Sequence, residues 1–149
     1  LPTGSLVVAS EFVQHDVDTT AVGDPIGLVS TVNQVVFPTW QPERCVSLLK
    51  EQGVSAVTGR IATGDWFAVK GSRAEWIRDT FSPLLVEMEG GAIAQVCLRN
   101  GVRFVSVKSV SDHLFSEKQA EEYFDFGQAL DALGRVVLPL AQSLAQEFC

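Results

Sequence analysis

The chain opens with apolar residues in short runs. "SLVVA" (5–9) and "IGLVSTVNQVVF" (26–37) flank a polar stretch, "QHDVDTTAVGDP" (14–25), in which Gly23, Asp24 and Pro25 mark a turn. Residues 5–38 therefore read as strand-like. A helix is predicted over 41–52, with Pro42 in its first turn, Val46 and Leu49 on one face and Gly53 as its stop. From there strands and helices alternate. "SAVTGRIAT" (55–63) reads as a strand, and "SRAE" (72–75) is a capping-box pattern opening a short helix with Trp76 and Ile77. "PLLVEM" (83–88) is a strand, "GGAIAQVCLRN" (90–100) a helix and "VRFVSVKSV" (102–110) a strand. "SEKQ" (116–119) is placed to cap a long last helix with Phe126, Leu130, Leu133, Val137, Leu140 and Leu144 at helical spacing, which Pro139 is expected to kink or divide. This alternation predicts an α/β fold, a largely parallel sheet flanked by helices, in a single domain over 1–149.

Composition narrows the class. A hydrophobic content of 46% with 19% charged residues is that of a globular chain. Eleven basic against 18 acidic residues give a formal charge of −7, with the basic residues scattered, which disfavours a nucleic-acid surface. No apolar run reaches the roughly 18 residues of a membrane span. Cys45, Cys97 and Cys149 have no metal-ligand spacing and read as reduced thiols of a cytosol-like compartment, so a cytoplasmic location is expected, with export left open. No phosphate loop of the G-x-x-x-x-G-K type is present, and neither a metal nor a cofactor is expected.

Candidate chemistry follows from the strands. Ligands of α/β sheets bind beyond the carboxyl ends of the strands. "TGDWF" (63–67) follows one predicted strand, "EME" (87–89) ends the next and "SDHLF" (111–115) follows the third. If the three strands are parallel, the motifs share one rim. Alternation points Glu87 and Glu89 to one side and Met88 to the other, unless a helix begins at Glu89 and turns it away. Two readings stay open for the pair. The carboxylates can stabilise a helix N-terminus, or they can accept hydrogen bonds from a vicinal diol such as ribose. Gly90 and Gly91, poor helix formers, permit a close approach of backbone, sheet or ligand. Asp112, with Ser111 beside it, is either a turn cap or a carboxyl group that gives a proton to a leaving group. His15 and His113 read as solvated or structural. Trp66 reads as core, while Phe67 is placed to stack on a planar base.

Taken together, "HDVDTTAVG" (15–23), "ATGDWF" (62–67), "VEMEGGAIAQVC" (86–97) and "SVSDHLF" (109–115) resemble the nucleoside phosphorylase/nucleosidase superfamily, and within it the 5′-methylthioadenosine/S-adenosylhomocysteine nucleosidase branch. The resemblance implies a nucleoside phosphorylase-like mixed, largely parallel sheet, incomplete at the N-terminus. It also implies hydrolysis of the N-glycosidic bond with release of adenine. It makes Asp112 the general acid at the purine, oriented by Ser111. Glu89 holds the ribose hydroxyls, Met88 packs on the sugar and Glu87 lies nearby. Phe67 stacks on adenine and the backbone at Ala68 reads the base edge. Val22 stands where the nucleosidases carry an aromatic lining the 5′-substituent pocket of a neighbouring subunit, so a homodimer is implied. The nucleoside is the expected small-molecule partner, with a separate N-terminal fragment as a further one and no nucleic acid or membrane. The water-activating acidic residue would lie upstream of this chain, so the isolated piece is expected to be inactive. A phosphorylase with the same contacts and a non-catalytic nucleoside-binding domain are the alternatives.

Overall fold

The computed structural model describes residues 1–114 and 126–148. The strands are β1 (Leu6–Gln14), β2 (Val36–Pro38), β3 (Ala56–Thr63), β4 (Leu85–Glu87) and β5 (Val107–Ser109). The helices are α1 (Pro42–Glu51), α2 (Ser72–Phe81), α3 (Gly90–Arg99) and α4 (Phe126–Phe148). They fall into two compact units. One holds Leu1–Val8, Gln41–Thr58 and the chain from Val107 onward, and the other Ala9–Trp40 and Gly59–Ser106.

In the second unit the strand order is β2-β1-β3-β4, with β2 antiparallel to β1 and β3 parallel to β4. Two hydrogen bonds tie the carboxyl ends of three strands together: the His15 N–H donates to the Thr63 carbonyl at 2.9 Å, and the Gly64 N–H to that of Glu87 at 3.2 Å. Two apolar clusters fill this unit. Ala9, Phe12, Val29, Phe37, Ile61 and Ala94 form one, and Val13, Ala62, Ile77 and Phe81 the other. Phe12, Phe37 and Ile61 are fully buried, each worth about 1.5–3 kcal/mol relative to exposure. The Arg60 guanidinium joins Glu11 at 2.7 Å and donates to the Phe81 carbonyl at 2.7 Å, fastening the end of α2 to β3. The first unit packs α4 on α1 and on β5, and β5 runs antiparallel to β1 in the register Leu6 to Ser109.

Several sequence expectations change. The run 26–37 is mostly turn, with strand only from Val36, because Val29 and Gln34 close a small loop through an isolated bridge. The 102–110 strand shortens to Val107–Ser109. Its earlier residues make single bonds instead, the Ser106 carbonyl accepting from Ala9 and that of Phe104 from Trp40. The capping box at Ser72 does not form: Gly71 is the N-cap, and no side chain caps the helix. Helix α4 runs through Pro139 without dividing. Its buried residues are Ala129, Val136 and the predicted Leu140, with the predicted Leu133 and Leu144 half-buried, whereas Phe126, Leu130 and Val137 are exposed. The proposed cap at 116–119, Phe115 and Cys149 lie outside the described residues. Among the described residues no helix is long and apolar enough to cross a membrane.

Candidate active site

The carboxyl ends of β1, β3 and β4 carry the motifs HD, TGDWF and EME, and all three belong to the second unit. The two glutamates divide there. Glu87 turns its carboxylate onto the start of α3, accepting from the Gly90 N–H at 2.8 and 3.0 Å and from the Glu89 N–H at 3.2 Å. It also accepts from the Thr63 hydroxyl, whose oxygen accepts the Gly91 N–H at 2.9 Å. Glu87 thus satisfies N–H groups that the first turn of a helix leaves without intrahelical partners, where negative charge is favoured. Glu89 is the N-cap residue, makes no capping bond to the helix and is exposed, as is Met88. The helix therefore begins where strand alternation between Glu87 and Glu89 would have continued. Of the two sequence readings, helix-terminus stabilisation describes Glu87.

The glycines answer to contact. A Cβ on Gly90 would lie 2.6 Å from Phe12 Cζ, and one on Gly91 would lie 2.8 Å from Thr63 Cβ. Close approach of α3 to β1 and β3 requires both. Thr63 was missed as a site residue by sequence reasoning, although it opens the TGD motif that pointed to this rim. It is buried and serves both Glu87 and Gly91. Thr63→Val, nearly isosteric, is expected to cost roughly 1–3 kcal/mol by leaving the Gly91 N–H unpaired, with Thr63→Ser much milder; urea unfolding measures both.

After β3 the chain turns at Gly64. The Asp16 carboxylate accepts the Asp65 N–H at 2.7 Å, and Trp66 packs into the second apolar cluster with the Arg73 guanidinium 4.7 Å from its ring centre. Trp66, expected in the core, is half-buried against it. Phe67 is 62% exposed, and Ala68 is half-buried beside it. The rest of the HDVD segment builds its own turn. Asp18 accepts from the Thr20 N–H at 3.0 Å and hydroxyl at 2.7 Å, which holds its carboxyl below the usual range, and Thr19 donates to Asp24 at 2.8 Å. Val22, at the end of this turn, is 80% exposed.

Ser111 and Asp112 belong to the first unit. The Ser111 hydroxyl donates to Asp112 Oδ1 at 2.9 Å, and both residues are half-buried. The expectation of three parallel strands holds for β3 and β4, whereas β5 pairs with β1 in the antiparallel sense. The structure thus brings Glu87, Met88, Glu89, Phe67 and Ala68 into one unit, with Ser111 and Asp112 paired in the other. Among the described residues no three His, Cys, Asp or Glu side chains are grouped to hold a metal ion.

The model of the phosphorylase superfamily matches residues 1–142. The chain belongs to the phosphorylase superfamily. A superfamily relative from Geobacillus kaustophilus, a 5′-methylthioadenosine/S-adenosylhomocysteine nucleosidase, is 42% identical over 118 residues, covering 75% of this chain and 49% of the relative. The solved nucleosidase of the same name from Colwellia psychrerythraea, in complex with adenine, is 37% identical with a TM-score of 0.78, over 97% of this chain and 61% of that one. Futalosine hydrolase of Helicobacter pylori superimposes with a TM-score of 0.85 at 28% identity, over 97% of this chain and 62% of that one. The chain spans about half the length of the Geobacillus relative, and its mixed sheet flanked by helices is the fold of this superfamily.

Proposed function

We propose that this chain is the base- and ribose-contacting portion of a hydrolase that cleaves the N-glycosidic bond of 5′-methylthioadenosine and S-adenosylhomocysteine and releases adenine. The observation that carries the reading is the rim where β3 and β4 end. There Glu87 is spent on fixing the first turn of α3, so that Met88 and Glu89 stand exposed at a rigid position beside the segment presenting Phe67. Glu89 accepts the ribose hydroxyls, Met88 packs on the sugar, Phe67 stacks on adenine and the Ala68 backbone reads its edge. Asp112, oriented by Ser111, protonates the purine as the bond to the sugar breaks. The sugar carbon then gains oxocarbenium character, and the proton lets adenine leave neutral. Val22 faces the 5′-substituent of a second copy's substrate in a homodimer. The cytosol-like setting is supported by the free thiols of Cys45 and Cys97.

Adenosine cleavage by the full-length protein, with and without phosphate, tests this. Adenine with free ribose in both cases supports hydrolysis, phosphate-dependent ribose 1-phosphate makes it a phosphorylase, and nucleoside binding without turnover makes it a binding domain. Methylthioadenosine and S-adenosylhomocysteine, offered in parallel, test the substrate class. Glu89→Gln keeps the shape and removes the charge. It is expected to weaken binding of a nucleoside analogue by about 10–100-fold, as loss of charge-assisted bonds worth roughly 1.5–3 kcal/mol implies, read by calorimetry.

A further inference from the structure

His15 takes no part in the chemistry proposed above, yet it is among the most tightly enclosed polar residues described. Its side chain is 2% exposed, and neither ring nitrogen has a hydrogen-bond partner among the described residues. Buried polar groups ordinarily have partners, so an imidazole in this state calls for a reason. Its neighbours supply one. The ring lies under the turn after β3: a Cβ on Gly64 would come within 2.6 Å of His15 Nε2 and 2.9 Å of Asp16 Cγ. Its edge meets Trp66 in a T-shaped pair, with ring centres 6.2 Å apart and planes at 89°. Its own N–H holds the Thr63 carbonyl, and the next residue, Asp16, holds the Asp65 N–H. His15 and Asp16 therefore grip residues 63–66 by backbone, ring and carboxylate, one residue before Phe67.

We propose that His15 is a positioning residue: its uncharged imidazole is the floor on which the turn 63–66 rests, and protonating it loosens the turn and withdraws Phe67 from the purine. The base contact itself rests on the proposed function. Burial lowers the pKa of His15 from its ordinary 6.5, and the Arg73 guanidinium lowers it further, while the adjacent Asp16 carboxylate opposes them. Asp65 is the other charged group in the turn; Thr63, Gly64 and Trp66 bring no charge. The sign follows. A histidine whose folded pKa is depressed binds fewer protons folded than unfolded, so its contribution is intact above about pH 6.5 and is lost as pH falls towards the folded pKa.

The test uses the full-length protein and the variants His15→Phe and His15→Gln, neither of which titrates; the second serves where the first fails to fold. Two quantities are followed from pH 8 to 5.5: the indole N–H resonance of Trp66 and the affinity for adenine. In the parent protein the Trp66 resonance shifts and adenine affinity falls about tenfold on one midpoint below pH 6.5. In the folded variant both are flat. A Trp66 resonance that ignores pH in the parent protein, or an acid limb in adenine affinity that survives in the variant, overturns the proposal. Failure to bind adenine at pH 8, with the Trp66 titration present and abolished by substitution, overturns the proposed function and leaves His15 as the support of the turn.

Discussion

Asp112→Asn in the full-length protein is expected to lower the rate of adenine release by roughly 10²–10⁴-fold, the range that a positioned general acid supplies. Asparagine matches the carboxyl group in size and can still donate a hydrogen bond, but it has no proton to give. Adenine would then have to depart as an anion, and the energy of that charge appears in the barrier. Binding should change little, because the substitution keeps the size of the side chain and leaves the Ser111 hydroxyl in place. In the proposed mechanism Ser111, whose hydroxyl donates to Asp112 Oδ1 at 2.9 Å, orients the acid rather than reacting. Ser111→Ala should therefore cost less, on the order of tenfold, the low end of the roughly 1.5–3 kcal/mol of a hydrogen bond to a charged group. Single-turnover adenine release and equilibrium adenine binding, measured on both variants, separate the two roles. Near-normal turnover by Asp112→Asn would remove Asp112 from the mechanism and with it the main chemical content of the reading.

The local grammar of the chain was legible in the sequence where one residue type decides. Pro42 and Gly53 bracket α1, and Gly53 has the positive φ of +77° that a stop glycine allows. Helix α3 and the strands β3 and β4 lie where the apolar runs put them. What was not legible depends on partners distant in sequence. Glu87 and Glu89 are equivalent in a strand pattern, and they part company because Thr63, 24 positions earlier, hydrogen-bonds the first of them and the N-terminus of α3. His15 looked ordinary because the residues that enclose it, Gly64, Trp66 and Arg73, come about fifty positions later. Helix α4 misled in another way. It carries more apolar positions than one face needs, so counting large residues selected Leu130 and Val137, whereas the small Ala129 packs inside.

The same dependence on distant partners sets the outcome at Gly90. Helix propensity alone predicts that Gly90→Ala stabilises the protein, since Ala exceeds Gly by about 1 kcal/mol within a helix. Contact predicts the reverse. The new methyl group would lie 2.6 Å from Phe12 Cζ and 3.1 Å from Glu87 Oε2. Phe12 is fully buried among Phe37, Ile61 and Ala94, so its ring has nowhere to retreat. Overpacking a core of this kind costs typically 1–3 kcal/mol, and moving Glu87 disturbs the bonds that close the first turn of α3. The clash should win, with Gly90→Ala less stable by roughly 1–3 kcal/mol in urea unfolding. Phe12→Leu in the same chain opens the space the methyl group needs. The two substitutions together should then cost less than the sum of each alone, with a coupling of about 0.5–3 kcal/mol. Simple additivity would mean that the helix is not held against Phe12 and that Gly90 serves the flexibility of the first turn. A measured coupling would make the rigidity of that turn, and of the exposed Glu89 it carries, a consequence of packing between β1 and α3.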